Sequence, residues 1–160
     1  MQERERDVTV DFARSTVLRT DPATAFDVSL DVGVHTEAFE DSDESIVAGV
    51  TSGSMGLGDT VTWRARHFGI WWRMTSTITE YERPDRFVDE QLRGPFKRFR
   101  HVHRFEDNGD GTTTMYDHVV FDAPLGPLGR IAEKVALERY LPVLIDRRNR
   151  ELVEHFERAP

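Results

Sequence analysis

Hydrophobic and polar residues alternate along most of the first three quarters of this 160-residue chain, and then the period changes. Over 8–18, Val8, Val10 and Phe12 fall on one side and Thr9, Asp11 and Ala13 on the other, the period-two pattern of a half-buried strand. Thr20 and Asp21 then precede Pro22, offering an N-cap followed by proline in a first helical turn. Ala25, Phe26 and Leu30 supply a short apolar stripe. A short helix is expected there, broken near Gly33. Six further strands are predicted at 45–52, 59–68, 70–81, 86–93, 97–106 and 112–122. The breaks between them carry turn chemistry: Gly53 to Gly58, Gly69, Arg83-Pro84-Asp85, Gly94-Pro95 and Asp107 to Gly111. Strands this closely spaced make an antiparallel meander.

From about 126 to 157 the apolar positions Leu128, Ile131, Val135, Leu141, Ile145, Leu152 and Phe156 recur at helical spacing, with Pro142 expected to bend the helix. The predicted fold is α+β: a curved antiparallel sheet of about seven strands wrapped around a long C-terminal helix, with short helices after the first strand. A sheet gripping one helix leaves more volume than that helix fills, so a cavity for an apolar or aromatic small molecule is expected.

Strand alternation also groups the side chains. Val61, Trp63, Ala65 and His67 share a face, as do Trp72, Met74, Ser76 and Ile78 on the next strand. Phe99, His101, His103 and Phe105 share another, opposite Arg98, Arg100, Val102 and Arg104, with Phe87, Asp89, Gln91 and Met115, Asp117, Val119, Phe121 as parallel sets. A carboxylate on an apolar face needs a partner, and Arg148, on the stripe of Leu141, Ile145 and Leu152, is the obvious cation. A polar cluster of Asp89, Gln91, His101, His103, Asp117 and Arg148 is therefore expected under the helix. Whether Asp117 points inward stays open, since the alternate face of its strand, Tyr116, His118 and Val120, is nearly as apolar.

Composition narrows the classes. Hydrophobic residues at 38% support a core in a single domain spanning 1–160, with 1–7 as a tail. The absence of cysteine removes disulfides and thiol chemistry and, with a charged rather than apolar start, fits the cytoplasm. No run approaches the roughly 18 apolar residues of a membrane span. A net charge of −8 disfavours nucleic acid as a partner. Arg98, Arg100 and Arg104, with Lys97 nearby, form a stripe, but the phenylalanines point to the opposite face and Glu90 stands ready to pair with the arginines. Gly53 to Gly58 lacks the ending of a phosphate-binding loop.

The run Phe87-x-Asp89-x-Gln91-x-x-Gly94-Pro95-Phe96-x-x-Phe99-x-His101-x-His103-x-Phe105, followed by Asp117 and Arg148, resembles bacterial members of the START-like (SRPBCC) superfamily, with Phe99 standing where that pattern usually has tryptophan. The resemblance spans nearly the whole chain and implies the helix-grip fold with a deep cavity for hydrophobic molecules. Some members are polyketide aromatase/cyclases and many only bind or carry ligand, so fold alone leaves function open.

The leading reading is a binding protein whose hydrophobic ligand is held by Trp63, Trp72, Met74 and Phe99, with Phe87 and Phe105 on the same inward faces. A polar end of the ligand would meet Asp89, Gln91, His101, His103 or Arg148. An alternative is a cyclase/dehydratase in which His101 or His103, oriented by Asp117, moves protons. A third is a structural domain that binds a partner. His-x-His beside two aspartates supplies metal-type ligands, but any strand puts alternate residues on one face, so no metal and no cofactor is assigned. His35, His67, His118 and His155 read as surface or packing residues.

Overall fold

The computed structural model describes residues 9–37, 43–67, 69–122 and 130–158, the side chains of residues 67, 70 and 130–137 excepted. It runs β1 (Thr9–Leu18), α1 (Pro22–Ser29), α2 (Val32–Glu37), β2 (Ser45–Gly49), β3 (Thr60–His67), β4 (Ile70–Glu82), β5 (Arg86–Arg93), β6 (Arg98–Asp107), β7 (Thr113–Asp122) and α3 (Arg130–Arg158). The expected tail 1–7, Val8, Leu128, the helical start at 126–129 and the side chains of His67, Ile131 and Val135 lie outside the described residues.

All seven strands form one curved antiparallel sheet in the order β1-β7-β6-β5-β4-β3-β2. From β2 to β7 it is the predicted meander. β1 joins from the far end by pairing with β7 along its whole length, from Thr9↔Asp122 to Leu18↔Thr113. That non-local pairing makes β5 the central strand and leaves β1 and β2 as edges.

The local signals act as expected at α1. Pro22 stands in its first turn, and Asp21 caps it by accepting from the Thr24 amide at 3.0 Å and the Thr24 hydroxyl at 2.7 Å. The helix break falls earlier than Gly33, at Leu30–Asp31, because Asp31 starts a second helix by accepting from the amides of Gly33 at 2.8 Å and Val34 at 3.3 Å. β2 is also shorter than the expected 45–52. The register slips between Ile46 and Ala48, and Gly49 turns the strand out at φ 80°. A Cβ at Gly49 would lie 2.2 Å from the Thr60 carbonyl oxygen, so the crossing requires glycine. α3 runs on through Pro142 as one helix.

The apolar interior is divided. One cluster gathers Leu18, Phe26, Leu30, Val61, Ile78, Phe87, Phe105, Met115 and Leu152. Phe26 is its hub, edge-on to Phe87 at 5.3 Å and to Phe105 at 5.7 Å. The other holds Val10, Phe99, Val119 and Phe121, with Met74, Phe96, Leu141 and Ile145 packed against it. Along β6 the order is Phe99, His101, His103, Phe105. Along β7 it is Phe121, Val119, Asp117, Met115, and along α3 it is Ile145, Arg148, Asn149, Leu152. In all three elements the polar residues stand between the two clusters.

The outer face of the sheet carries paired charge on β4 to β7. Arg100 reaches Glu80 at 2.9 Å and Glu90 at 3.8 Å, Arg98 reaches Asp122 at 3.2 Å, and Arg104 lies over the Tyr116 ring at 4.4 Å. Among the described residues no helix is long and apolar enough to cross a membrane.

Candidate functional site

The polar belt is built on three adjacent strands and closed by α3. Register sets His101 opposite Asp89 on β5 and His103 opposite Asp117 on β7. The short contacts, however, run diagonally: His101 Nε2 to Asp117 Oδ1 and His103 Nε2 to Asp89 Oδ2, both 2.7 Å. The directly opposed pairs are longer, with His103 Nδ1 3.2 Å from Asp117 Oδ1 and His101 Nδ1 3.9 Å from Asp89 Oδ2. Each imidazole thus faces both carboxylates. The two rings are tilted by 32° with their centroids 3.7 Å apart, and Phe87 stacks on His103 at 4.1 Å.

Asp117 points inward and is 1% exposed, which decides the orientation its strand pattern left open. From α3, Asn149 Nδ2 donates to Asp117 Oδ2 at 2.6 Å, and the Arg148 guanidinium stands 3.6 Å from Asp117 Oδ1 while reaching the Ser29 carbonyl at 3.5 Å. Asn149 is absent from the set expected from sequence, although it lies four residues beyond Ile145 on the inward stripe and is 3% exposed. A polar residue at that spacing is the signal that finds it.

Gln91 does not join this cluster. Its amide nitrogen donates to the Phe96 carbonyl at 2.7 Å and its oxygen accepts from the Phe96 amide at 3.2 Å, clamping the Gly94-Pro95-Phe96 turn between β5 and β6. A free side-chain amide within five residues of unpaired backbone groups meets them before it meets a distant cluster. Phe87 and Phe105, expected on the ligand's face, are core: both are buried against Phe26. Trp63 packs on the same cluster and lies 4.4 Å from the His35 ring. Trp72 and Met74 are half-buried on the inward face of β4, and Phe99 is buried against Phe96 and Phe121.

Burial governs the protonation states. It pushes His101 down to about 4, with the neighbouring His103 adding to the effect and the Asp117 hydrogen bond opposing it. Burial pushes Asp117 the other way, but the hydrogen bond from His101 and the close His103 imidazole overcome it and hold the carboxyl well below the usual range. Asp89 is likewise lowered against its burial by His103, His101 and Arg148. At neutral pH the belt therefore holds two carboxylates, a neutral His101 and Arg148. Asp89, with a side chain 21% exposed, is its open member; the side chains of His101, His103, Asp117 and Arg148 are 8% exposed or less.

Asp89, His101 and His103 also bring three ligand-type atoms within 4.8 Å of one another, a convergence that strand alternation alone did not require. Beside the belt, Val28, Ser29, Asp31, Val34, Arg148, Glu151 and Leu152 border a recess of about 10 Å³, room for a single water.

Solved structures share the architecture. A Thermus thermophilus protein, TTHA0849, is 13% identical over 91% of this chain and 99% of its own, with a TM-score of 0.70. The Zhui aromatase/cyclase from Streptomyces sp. R1128 is 16% identical over 94% and 95%, with a TM-score of 0.68. A major latex-like protein from Panax ginseng is 11% identical over 92% and 97%, with a TM-score of 0.63. No curated protein matches the chain. The profile described as polyketide cyclase / dehydrase and lipid transport matches residues 9–157, nearly the whole length. With its seven-stranded sheet, its C-terminal helix and that match, the chain belongs to the polyketide cyclase / dehydrase and lipid transport family of the START-like superfamily.

Proposed function

We propose that this chain binds a hydrophobic small molecule carrying one hydrogen-bonding group. The ligand's apolar body lies against Trp72, Met74, Phe96 and the α3 residues Leu141 and Ile145, and its polar group meets Asp89. The observation that carries this reading is the mixture of exposures on the inward face. These five apolar side chains remain only half-buried, and Asp89 is the open carboxylate of an otherwise buried belt. Desolvated apolar walls supply affinity at about 25 cal/mol per Å², and a fixed polar group supplies orientation. His101, His103 and Arg148 act behind Asp89, holding its charge and position.

Catalysis by His101 or His103 is less favoured. Both rings are nearly sealed and the Nε2 of each is held by an aspartate, so a substrate group reaches the rings only past Asp89.

Native mass spectrometry of the purified protein, together with titration by the neutral apolar dye Nile red, tests the reading. Saturable dye fluorescence at one equivalent is expected, and so is its loss in Met74→Arg, which places a charge on the apolar wall while the fold, checked by circular dichroism, persists. Absence of saturable binding by the wild type, or unchanged binding by a folded Met74→Arg, sinks the proposal.

A further inference from the structure

We propose that Asp89, His101 and His103 form a site for one divalent transition-metal ion, ligated by Asp89 Oδ2, His101 Nδ1 and His103 Nε2 and braced from behind by Asp117. The site goes beyond the ligand-binding reading and does not depend on it.

The first support is convergence. Metal ligands must aim their lone pairs at one point, and ligand atoms about 2.0–2.1 Å from a zinc ion stand roughly 3.3 Å apart at tetrahedral angles. Here His103 Nε2 is 2.7 Å from Asp89 Oδ2 and His101 Nδ1 is 3.9 Å from the same oxygen, so the required spacing lies between the two. At 3.9 Å, His101 Nδ1 is beyond hydrogen-bond reach of that oxygen.

The second support is the other side of the rings. A ligating imidazole is oriented by what its second nitrogen meets, most often a carboxylate. The nitrogens turned away from Asp89, His101 Nε2 and His103 Nδ1, both face Asp117 Oδ1, at 2.7 Å and 3.2 Å. Asp117 is itself fixed by Asn149 and Arg148. One buried carboxylate thus braces both rings.

The third support is an unsatisfied atom. His103 Nδ1 is buried and has no aligned hydrogen bond. With the ring proton on Nδ1, Asp117 Oδ1 is the acceptor at hand, and Nε2 keeps its lone pair for a cation. Such a buried nitrogen otherwise carries a desolvation penalty.

The donor set, two imidazoles and one carboxylate without a thiolate, suits zinc, iron(II) or cobalt(II) rather than calcium or magnesium. Three protein ligands leave at least one position open, and the partial exposure of Asp89 puts that opening on the inward face.

Chelator-stripped protein is titrated with Zn²⁺ by calorimetry at neutral pH, and with Co²⁺ followed by visible absorption. One equivalent of Zn²⁺ and a Co²⁺ band typical of nitrogen and oxygen ligands are expected. His103→Gln should lose binding. Because that residue is buried, Asp89→Asn serves as the second variant: its side chain is partly open, the fold should persist, and affinity should fall roughly tenfold or more. His118→Gln removes the exposed imidazole paired with Asp11 and should leave affinity unchanged. Failure of the wild type to bind Zn²⁺ below millimolar concentration, equal affinity in wild type and Asp89→Asn, or loss of binding in His118→Gln overturns the assignment.

Discussion

Two adjacent residues of β7 offer a controlled measurement of what burial does to an aspartate–histidine contact. Asp117 accepts from His101 Nε2 at 2.7 Å in the interior. Asp11 meets His118 Nε2 at the same 2.7 Å on the surface, where the side chains are 62% and 48% exposed. Asp117→Asn keeps the shape of the side chain and removes its charge. The amide that replaces one carboxylate oxygen points a donor at a donor, either His101 Nε2–H or the Asn149 amide nitrogen, which sits 2.6 Å from Asp117 Oδ2. Arg148, 6% exposed, loses the carboxylate 3.6 Å from its guanidinium and keeps the Ser29 carbonyl at 3.5 Å. Breaking a buried charge network by removing one member costs about 3–5 kcal/mol. At about 2–4 °C per kcal/mol for a chain of this size, the melting temperature should fall by about 6–20 °C. Asp11→Asn breaks a contact of equal length in water and should cost about 0–1 kcal/mol. Urea or thermal unfolding of both variants, followed by far-ultraviolet circular dichroism at neutral pH, measures the difference. Two variants within about 1 kcal/mol of each other would refute the view that Asp117 is held as a buried, network-bound carboxylate.

Two further outcomes follow from the same interior and from the sheet edge. Because the fold lowers His101 from 6.5 to about 4, the unfolded chain takes up the proton first as pH falls. The stability held by the neutral ring is complete above about pH 6.5 and lost between there and about pH 4, roughly 3 kcal/mol at about 1.4 kcal/mol per unit. The lowered carboxyls of Asp89 and Asp117 extend the loss below the ordinary aspartate value of 3.8. An NMR titration should find the His101 ring neutral at about pH 5; a midpoint at or above the ordinary histidine value of about 6.5 would contradict this origin of acid sensitivity. At the β2 edge, Gly49→Ala places a methyl group 2.2 Å from the Thr60 carbonyl oxygen at a φ of 80° and should cost about 1–3 kcal/mol, read as a lower urea midpoint. An unchanged midpoint would mean that β2 moves freely off β3.

The sequence by itself determined much of what depends on neighbours along the chain. Alternation placed Phe99, His101, His103 and Phe105 on one face because strand geometry has a period of two whatever lies beside it. Asp21 and Pro22 started α1 through backbone groups within three residues, and the apolar spacing of Leu141, Ile145 and Leu152 marked the stripe of α3 that faces the sheet. The family pattern around Gly94-Pro95-Phe96 is legible for the same reason.

What the tertiary structure decided depends on register across elements distant in sequence. Nothing local says that β1 crosses the chain to pair with β7. The facing of Asp117 was undetermined because both sides of its strand are nearly apolar, and only the pairing of β7 between β1 and β6, under α3, turns it inward. Alternation could name two histidines and two aspartates on one face but not their contacts. Those contacts are diagonal, fixed by the stagger of three strands, and a further partner, Asn149, arrives from a helix over 30 residues away. Gln91, which shares that face by period, is drawn off by the nearer backbone of its own turn. A polar side chain takes the partner it reaches with least ordering, and the fold sets which partner that is.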